Sequence, residues 1–76
     1  VNDISIKDNI QELYNYLDLL SSREKEIIIK RYGLFNQKEK TQMEISKEYN
    51  ISRSYVSRIE KRALTKMLRE FIKNNN

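Results

Sequence analysis

Ile6, Ile10, Leu13, Leu17 and Leu20 recur at spacings of three and four, a single apolar stripe that predicts an amphipathic helix over about residues 5–20. Ser21-Ser22-Arg23-Glu24 then has the spacing of a capping box, in which the Ser21 hydroxyl accepts from a first-turn amide and Glu24 reaches back to the cap. A second helix is predicted over 22–32. Its Ile27-Ile28-Ile29 has the look of a buried strand, but Arg23-Glu24-Lys25-Glu26 and Lys30-Arg31 on either side are helix formers, and Gly33 is a helix-ending residue. Consecutive helical residues point in three directions, so at least one of these isoleucines is expected at the surface.

Leu34 to Lys40 shows no sustained periodicity and is expected to be a loop with an apolar anchor at its start. Thr41-Gln42-Met43-Glu44 repeats the capping-box spacing and opens a short helix over 42–49. Asn50 breaks it, since Asn tolerates the left-handed backbone, and Ser52 stands where it caps the next helix. From Arg53 to about Ile72 nothing interrupts a last helix on the order of 30 Å long. Asn74 to Asn76 are expected to be disordered. The pattern is that of an all-α, four-helix fold in one domain.

Within 42–61, apolar Ile45, Tyr49, Ile51, Val56 and Ile59 are joined by small Ser46 and turn-forming Asn50. That is the helix-turn-helix pattern: two helices crossing steeply need a small residue at the crossing, a left-handed turn residue between them and apolar facing sides. On a wheel of the last helix, Val56, Ile59, Ala63 and Met67 share one side; Ser54, Ser57, Arg58 and Lys61 project from the other. The second side is expected to enter a DNA major groove. Arg53 and Arg58 carry the fork that donates to guanine O6 and N7, worth roughly 1 to 3 kcal/mol of discrimination, while Ser54 and Ser57 specify less. Thr41, Gln42, Ser52, Tyr55, Lys61, Arg62 and Lys66 are assigned to phosphate or to the flank.

Charge supports this division. The chain carries 15 Lys+Arg against 11 Asp+Glu, yet residues 1–20 hold four acids to one base, whereas 41–76 hold eight bases to four acids. A basic second half is the footprint of a nucleic-acid binder, and an acidic first helix faces something other than phosphate. With no Cys and no His in 76 residues, there is no zinc site of the usual kind, no thiol nucleophile and no imidazole base. No enzyme activity, metal, cofactor or small-molecule substrate is expected. No apolar run approaches the ~20 residues of a membrane span, which argues against a membrane partner and for a cytoplasmic protein. The chain opens with Val1, as a processed product or a fragment of something longer does.

Arg31-Tyr32-Gly33-Leu34, Thr41-Gln42-Met43-Glu44-Ile45-Ser46 and Ile51-Ser52-Arg53-Ser54-Tyr55-Val56-Ser57-Arg58-Ile59-Glu60-Lys61-Arg62-Ala63-Leu64 together resemble the C-terminal region 4 of sigma-70 family bacterial RNA polymerase sigma factors. The string from Ser52 to Ala63 most resembles the sporulation-specific, mother-cell type. The resemblance implies a module that reads the −35 element of double-stranded promoter DNA and docks on the flap of the polymerase β subunit. It carries the base-reading role to Arg53, Ser54, Ser57 and Arg58. Housekeeping members have Glu where Ser54 stands and Gln where Arg58 stands. This chain therefore lacks a pure acceptor for cytosine N4 and exchanges adenine-type for guanine-type reading at Arg58.

Several residues keep two readings. Tyr14, Ile28, Leu34 and Phe35, with Tyr16 and the other isoleucines, either form the apolar receptor for a polymerase segment or close a small core. Leu64, Leu68 and Ile72 either cover the first helix, the favoured reading, or stay exposed for a partner. Alternatives for the whole are a helix-turn-helix effector domain of a response regulator, whose dimerising last helix is separate from the recognition helix, and a helical interaction module bound by an anti-sigma or activator protein.

Overall fold

Cap residues dictate where the elements of this chain begin and end. A computed structural model describes residues 14–74, which hold four helical segments and no strand. Most of the helix expected over 5–20, with Ile6, Ile10 and Leu13, lies outside the described residues. Its end is described, and it is not α-helical throughout: residues 14–16 are helical and tighten into a 3-10 turn over Leu17–Leu19. The reason lies just beyond, where Leu20 is already extended (φ −97°, ψ 152°) to deliver Ser21 into the cap of the next helix.

We number the remaining helices α1 (Ser22–Tyr32), α2 (Gln42–Tyr49) and α3 (Arg53–Asn74). Both capping boxes form. Ser21 Oγ accepts from Glu24 N at 3.3 Å, and Ser21 N donates to Glu24 Oε1 at 3.0 Å. Thr41 Oγ1 accepts from Glu44 N at 3.1 Å, and Thr41 N donates to Glu44 Oε1 at 2.8 Å. Helix α1 stops at Gly33 and α2 at Asn50, left-handed at φ 64° and 56°. At Gly33 the choice is forced twice over, because a Cβ there would lie 2.7 Å from the Gln37 carbonyl oxygen.

Two apolar clusters make the core. Leu17, Leu20, Ile28, Leu34, Ala63 and Met67 form one; Ile27, Ile45, Val56 and Ile59 form the other. Helix α1 is wedged between them: Ile27 enters one cluster, Ile28 the other, and Ile29 packs half-buried against the latter, the one of the three that keeps exposed surface. Three directions are satisfied because there are two cores to face. Helix α3 runs two residues beyond the expected end. Asn74 is its last residue, not part of a disordered tail, and its side-chain amide donates to the Tyr16 hydroxyl at 3.5 Å. Leu64 and Leu68 are half-buried, but Ile72, favoured as core, is 43% exposed.

The loop after α1 is anchored by buried Leu34 and fastened at its far end, where Lys40 N donates to Lys30 O at 2.9 Å. No described helix is long and apolar enough to cross a membrane.

Candidate nucleic-acid interface

Helix α3 separates cleanly into two sides. Val56, Ile59, Ala63 and Met67 are buried, whereas Arg53, Ser54, Tyr55, Ser57, Arg58, Lys61 and Arg62 are exposed. The turn that aims this face is built by Asn50, by Ile51 N donating to Ser46 O at 3.0 Å, and by Ser52 Oγ accepting from Tyr55 N at 3.0 Å. Ser46 is small and buried, and its hydroxyl is satisfied locally by donating to Met43 O at 2.7 Å.

Arg53, Ser54, Ser57 and Arg58 line one open depression, and Gln42 from the first residue of α2 closes it. The four expected base readers are therefore brought together with one expected flank residue. Among the described residues no carboxylate pairs with Arg53, Arg58, Lys61 or Arg62, so their charge is available to a ligand. Thr41 and Ser52 spend an oxygen lone pair on capping but keep the hydroxyl hydrogen to donate.

Lys66, expected at phosphate or at the helix flank, reaches Glu24, with Nζ 2.9 Å from Oε1 and 3.2 Å from Oε2. Burial pushes the Glu24 carboxyl up, yet hydrogen bonds from Ser21 and Lys66 outweigh it and hold the group below its ordinary value.

Glu60 is the residue that sequence reasoning missed. It is buried on α3, where its Oε1 accepts from Gln42 Nε2 at 2.8 Å and its Oε2 accepts from the Tyr32 hydroxyl at 3.0 Å. Arg31 Nε lies 3.4 Å from Oε1 without the geometry of a hydrogen bond. One carboxylate thus ties all three numbered helices. Its burial and the proximity of Glu60 push the Tyr32 hydroxyl up to about 12.

The expected polymerase-facing set is divided by burial. Ile28 and Leu34 lie in the core, with essentially no exposed surface, and cannot themselves be touched by a partner. Tyr16 is half-buried against the same cluster. Tyr14 and Phe35 are exposed and meet edge to face, ring centroids 5.1 Å apart at 85°. Phe35 N donates to the Tyr14 hydroxyl at 3.0 Å, and Phe35 has a left-handed backbone at φ 57°.

The family model for sigma-70, region 4 matches residues 16–69. The RNA polymerase sigma-28 factor of Bacillus thuringiensis subsp. kurstaki is 53% identical over 73 residues, covering 96% of this chain and 31% of that protein. The RNA polymerase sigma-K factor of Bacillus subtilis (strain 168) is 55% identical over 71 residues, covering 93% and 24%. The RNA polymerase sigma-E factor of Clostridium acetobutylicum is 46% identical over 57 residues, covering 75% and 24%. The chain thus spans between 24% and 31% of the length of these curated relatives. No solved structure matches it.

Proposed function

Because the chain belongs to the sigma-70 region 4 family, we propose that it is the part of a longer sigma factor that reads the −35 promoter element and docks on the β-subunit flap of core RNA polymerase. The single observation that carries the DNA half is the depression at the start of α3, where Arg53, Ser54, Ser57 and Arg58 stand together, opposite a wholly buried stripe. Two guanidinium forks beside two hydroxyls suit guanine-containing base pairs in a major groove, with Thr41, Ser52, Tyr55, Lys61 and Arg62 assigned to phosphates or to the flank. Docking on polymerase is assigned to Tyr14 and Phe35, since Ile28 and Leu34 are buried in the core.

The function is recognition without chemistry, in the bacterial cytoplasm. Relatives named sigma-K and sigma-E support a sporulation setting. A response-regulator effector expects the recognition helix and the last helix to be separate, whereas α3 is one unbroken element from Arg53 to Asn74.

Selection of bound duplexes from a random pool, with the chain tethered to the polymerase flap, tests the proposal. The expected result is a short enriched motif containing a guanine whose preference disappears in Arg58→Ala. Retention of the full motif by that variant would refute the assignment.

A further inference from the structure

Glu60 stands at the flank of the recognition helix with its side chain 9% exposed, and nothing in the proposed function uses it. An ionised carboxylate only accepts hydrogen bonds, so the Gln42 atom 2.8 Å from Oε1 has to be the amide nitrogen, and the orientation of that amide is fixed. The other oxygen of Glu60 is held by Tyr32, and Arg31 lies beside it, so the carboxylate is itself immobile. Gln42 keeps its carbonyl oxygen and a second N–H. It borders the depression of Arg53, Ser54, Ser57 and Arg58.

The geometry points to Gln42 as a fifth base-reading residue, specific for adenine at the edge of the site, and to Glu60 as the positioning residue that presents it. The inference rests on the reading of this depression as the DNA site. An amide acceptor and donor side by side match adenine N6 and N7 in the major groove. The arginines only donate and the serines discriminate little, so Gln42 supplies the firm acceptor that the site otherwise lacks. Gln42 was expected at a phosphate or at the flank; an amide held by Glu60 at the border of the depression suits a base edge. Pre-ordering by Glu60 removes part of the entropy that a free glutamine loses on binding.

The experiment is selection from a random duplex pool with the full 76-residue chain, its Gln42→Ala, Glu60→Gln and Arg58→Ala variants, and the Gln42→Ala/Glu60→Gln double variant. Wild type is expected to prefer adenine at one edge position by roughly 5-fold or more. That preference should weaken when the adenine is replaced by 7-deazaadenine, vanish in Gln42→Ala and weaken in Glu60→Gln, whose amide no longer fixes which Gln42 atom faces it, while the guanine preference persists. The double variant should be no worse than Gln42→Ala alone. Uniform weakening across all sequences would make Gln42 a phosphate contact and overturn the inference, as would additive losses in the double variant. If Arg58→Ala changes nothing, the interface itself is misplaced and the inference falls with it. A readout on wild type covers the case in which Glu60→Gln does not fold: the Gln42 side-chain amide protons should exchange slowly with water and shift on adding duplex. Exchange at the rate of a free glutamine amide overturns the positioning role.

Discussion

Lys66 Nζ crosses from the middle of α3 to Glu24, the residue that closes the capping box of α1, donating to both carboxylate oxygens. The Glu24 side chain is 6% exposed, whereas the lysine is 43% exposed. The carboxylate serves two masters: it satisfies the Ser21 N–H and neutralises the Lys66 charge. Lys66→Met is therefore expected to destabilise the fold by about 1 to 2 kcal/mol, less than a fully buried pair because the capping bonds remain. Its effect on DNA binding should be small, in contrast to Lys61→Ala. Urea unfolding and duplex binding of the two variants provide the check.

Stability should fall at both ends of the pH scale, for opposite reasons. Glu24 is held below its ordinary value of 4.5 in the folded chain, so its contribution is complete above that value and is lost as pH falls through the folded one. Glu48 acts in the same direction, lowered by hydrogen bonds from Lys40 and then Lys30. Tyr32 and Tyr49 are raised from 10.0 to about 12, by burial first and by Glu60 and Glu26 respectively. Their neutral forms are favoured by folding, so stability is intact below 10.0 and lost as pH rises through about 12. Glu24→Gln should flatten the acid arm and Tyr32→Phe the alkaline one, read from urea midpoints across the pH range.

Gly33→Ala combines two penalties, a left-handed φ of 64° and a Cβ 2.7 Å from the Gln37 carbonyl oxygen. The backbone penalty alone is about 1 kcal/mol. The contact is with main chain and not with the far end of a flexible side chain, so moving it is costly and a total of about 2 kcal/mol or more is expected. The loop between α1 and α2 must shift to accommodate it. A loss of thermal stability in which Phe35 also loses its contact with Tyr14, seen as altered aromatic chemical shifts, would bear this out; an unchanged melting curve would contradict it.

Lys61 and Arg58 should separate position from specificity. Both are exposed on α3 and unpaired among the described residues. Lys61→Ala is expected to weaken all duplexes alike and to reduce the slope of log affinity against log salt by about 0.9, one phosphate contact. Arg58→Ala should instead relax one base position. Binding isotherms at several salt concentrations, with matched and mismatched duplexes, discriminate the two.

What was legible in the sequence is what local chemistry decides. Ser21 with Glu24, Thr41 with Glu44, Gly33 and Asn50 mark the ends of α1 and α2 because capping partners are three residues apart and left-handed residues are few. The two sides of α3 followed from its 3.6-residue period. The Glu60 hub and the Lys66–Glu24 pair join residues up to 42 apart, and no local spacing announces them. Ile28 keeps a surface reading in sequence because a one-core picture has no room for three consecutive isoleucines. The second cluster supplies that room. The Gln42 amide is informative only once its nitrogen is seen committed to Glu60.

Phe35 offers the cleanest test of the polymerase-facing surface. It is 56% exposed, the most exposed of the large apolar residues among those described, and it is held out by its left-handed backbone and the Tyr14 hydroxyl. Its side chain is more than half exposed and its ring meets that of Tyr14, so Phe35→Ala should cost the fold about 1 kcal/mol. The aromatic ring is a large part of what a partner could cover, and truncating such an anchor commonly costs a complex about 2 kcal/mol, some thirtyfold in affinity. Phe35→Ala is therefore expected to weaken binding to an isolated β-flap fragment by that order while leaving binding to a duplex unchanged. Tyr14→Phe, which removes only the hydroxyl that accepts from Phe35 N, should give a smaller loss of the same kind. Equal flap affinity for wild type and Phe35→Ala, measured by calorimetry, would remove this surface from the docking proposal without touching the DNA face on α3.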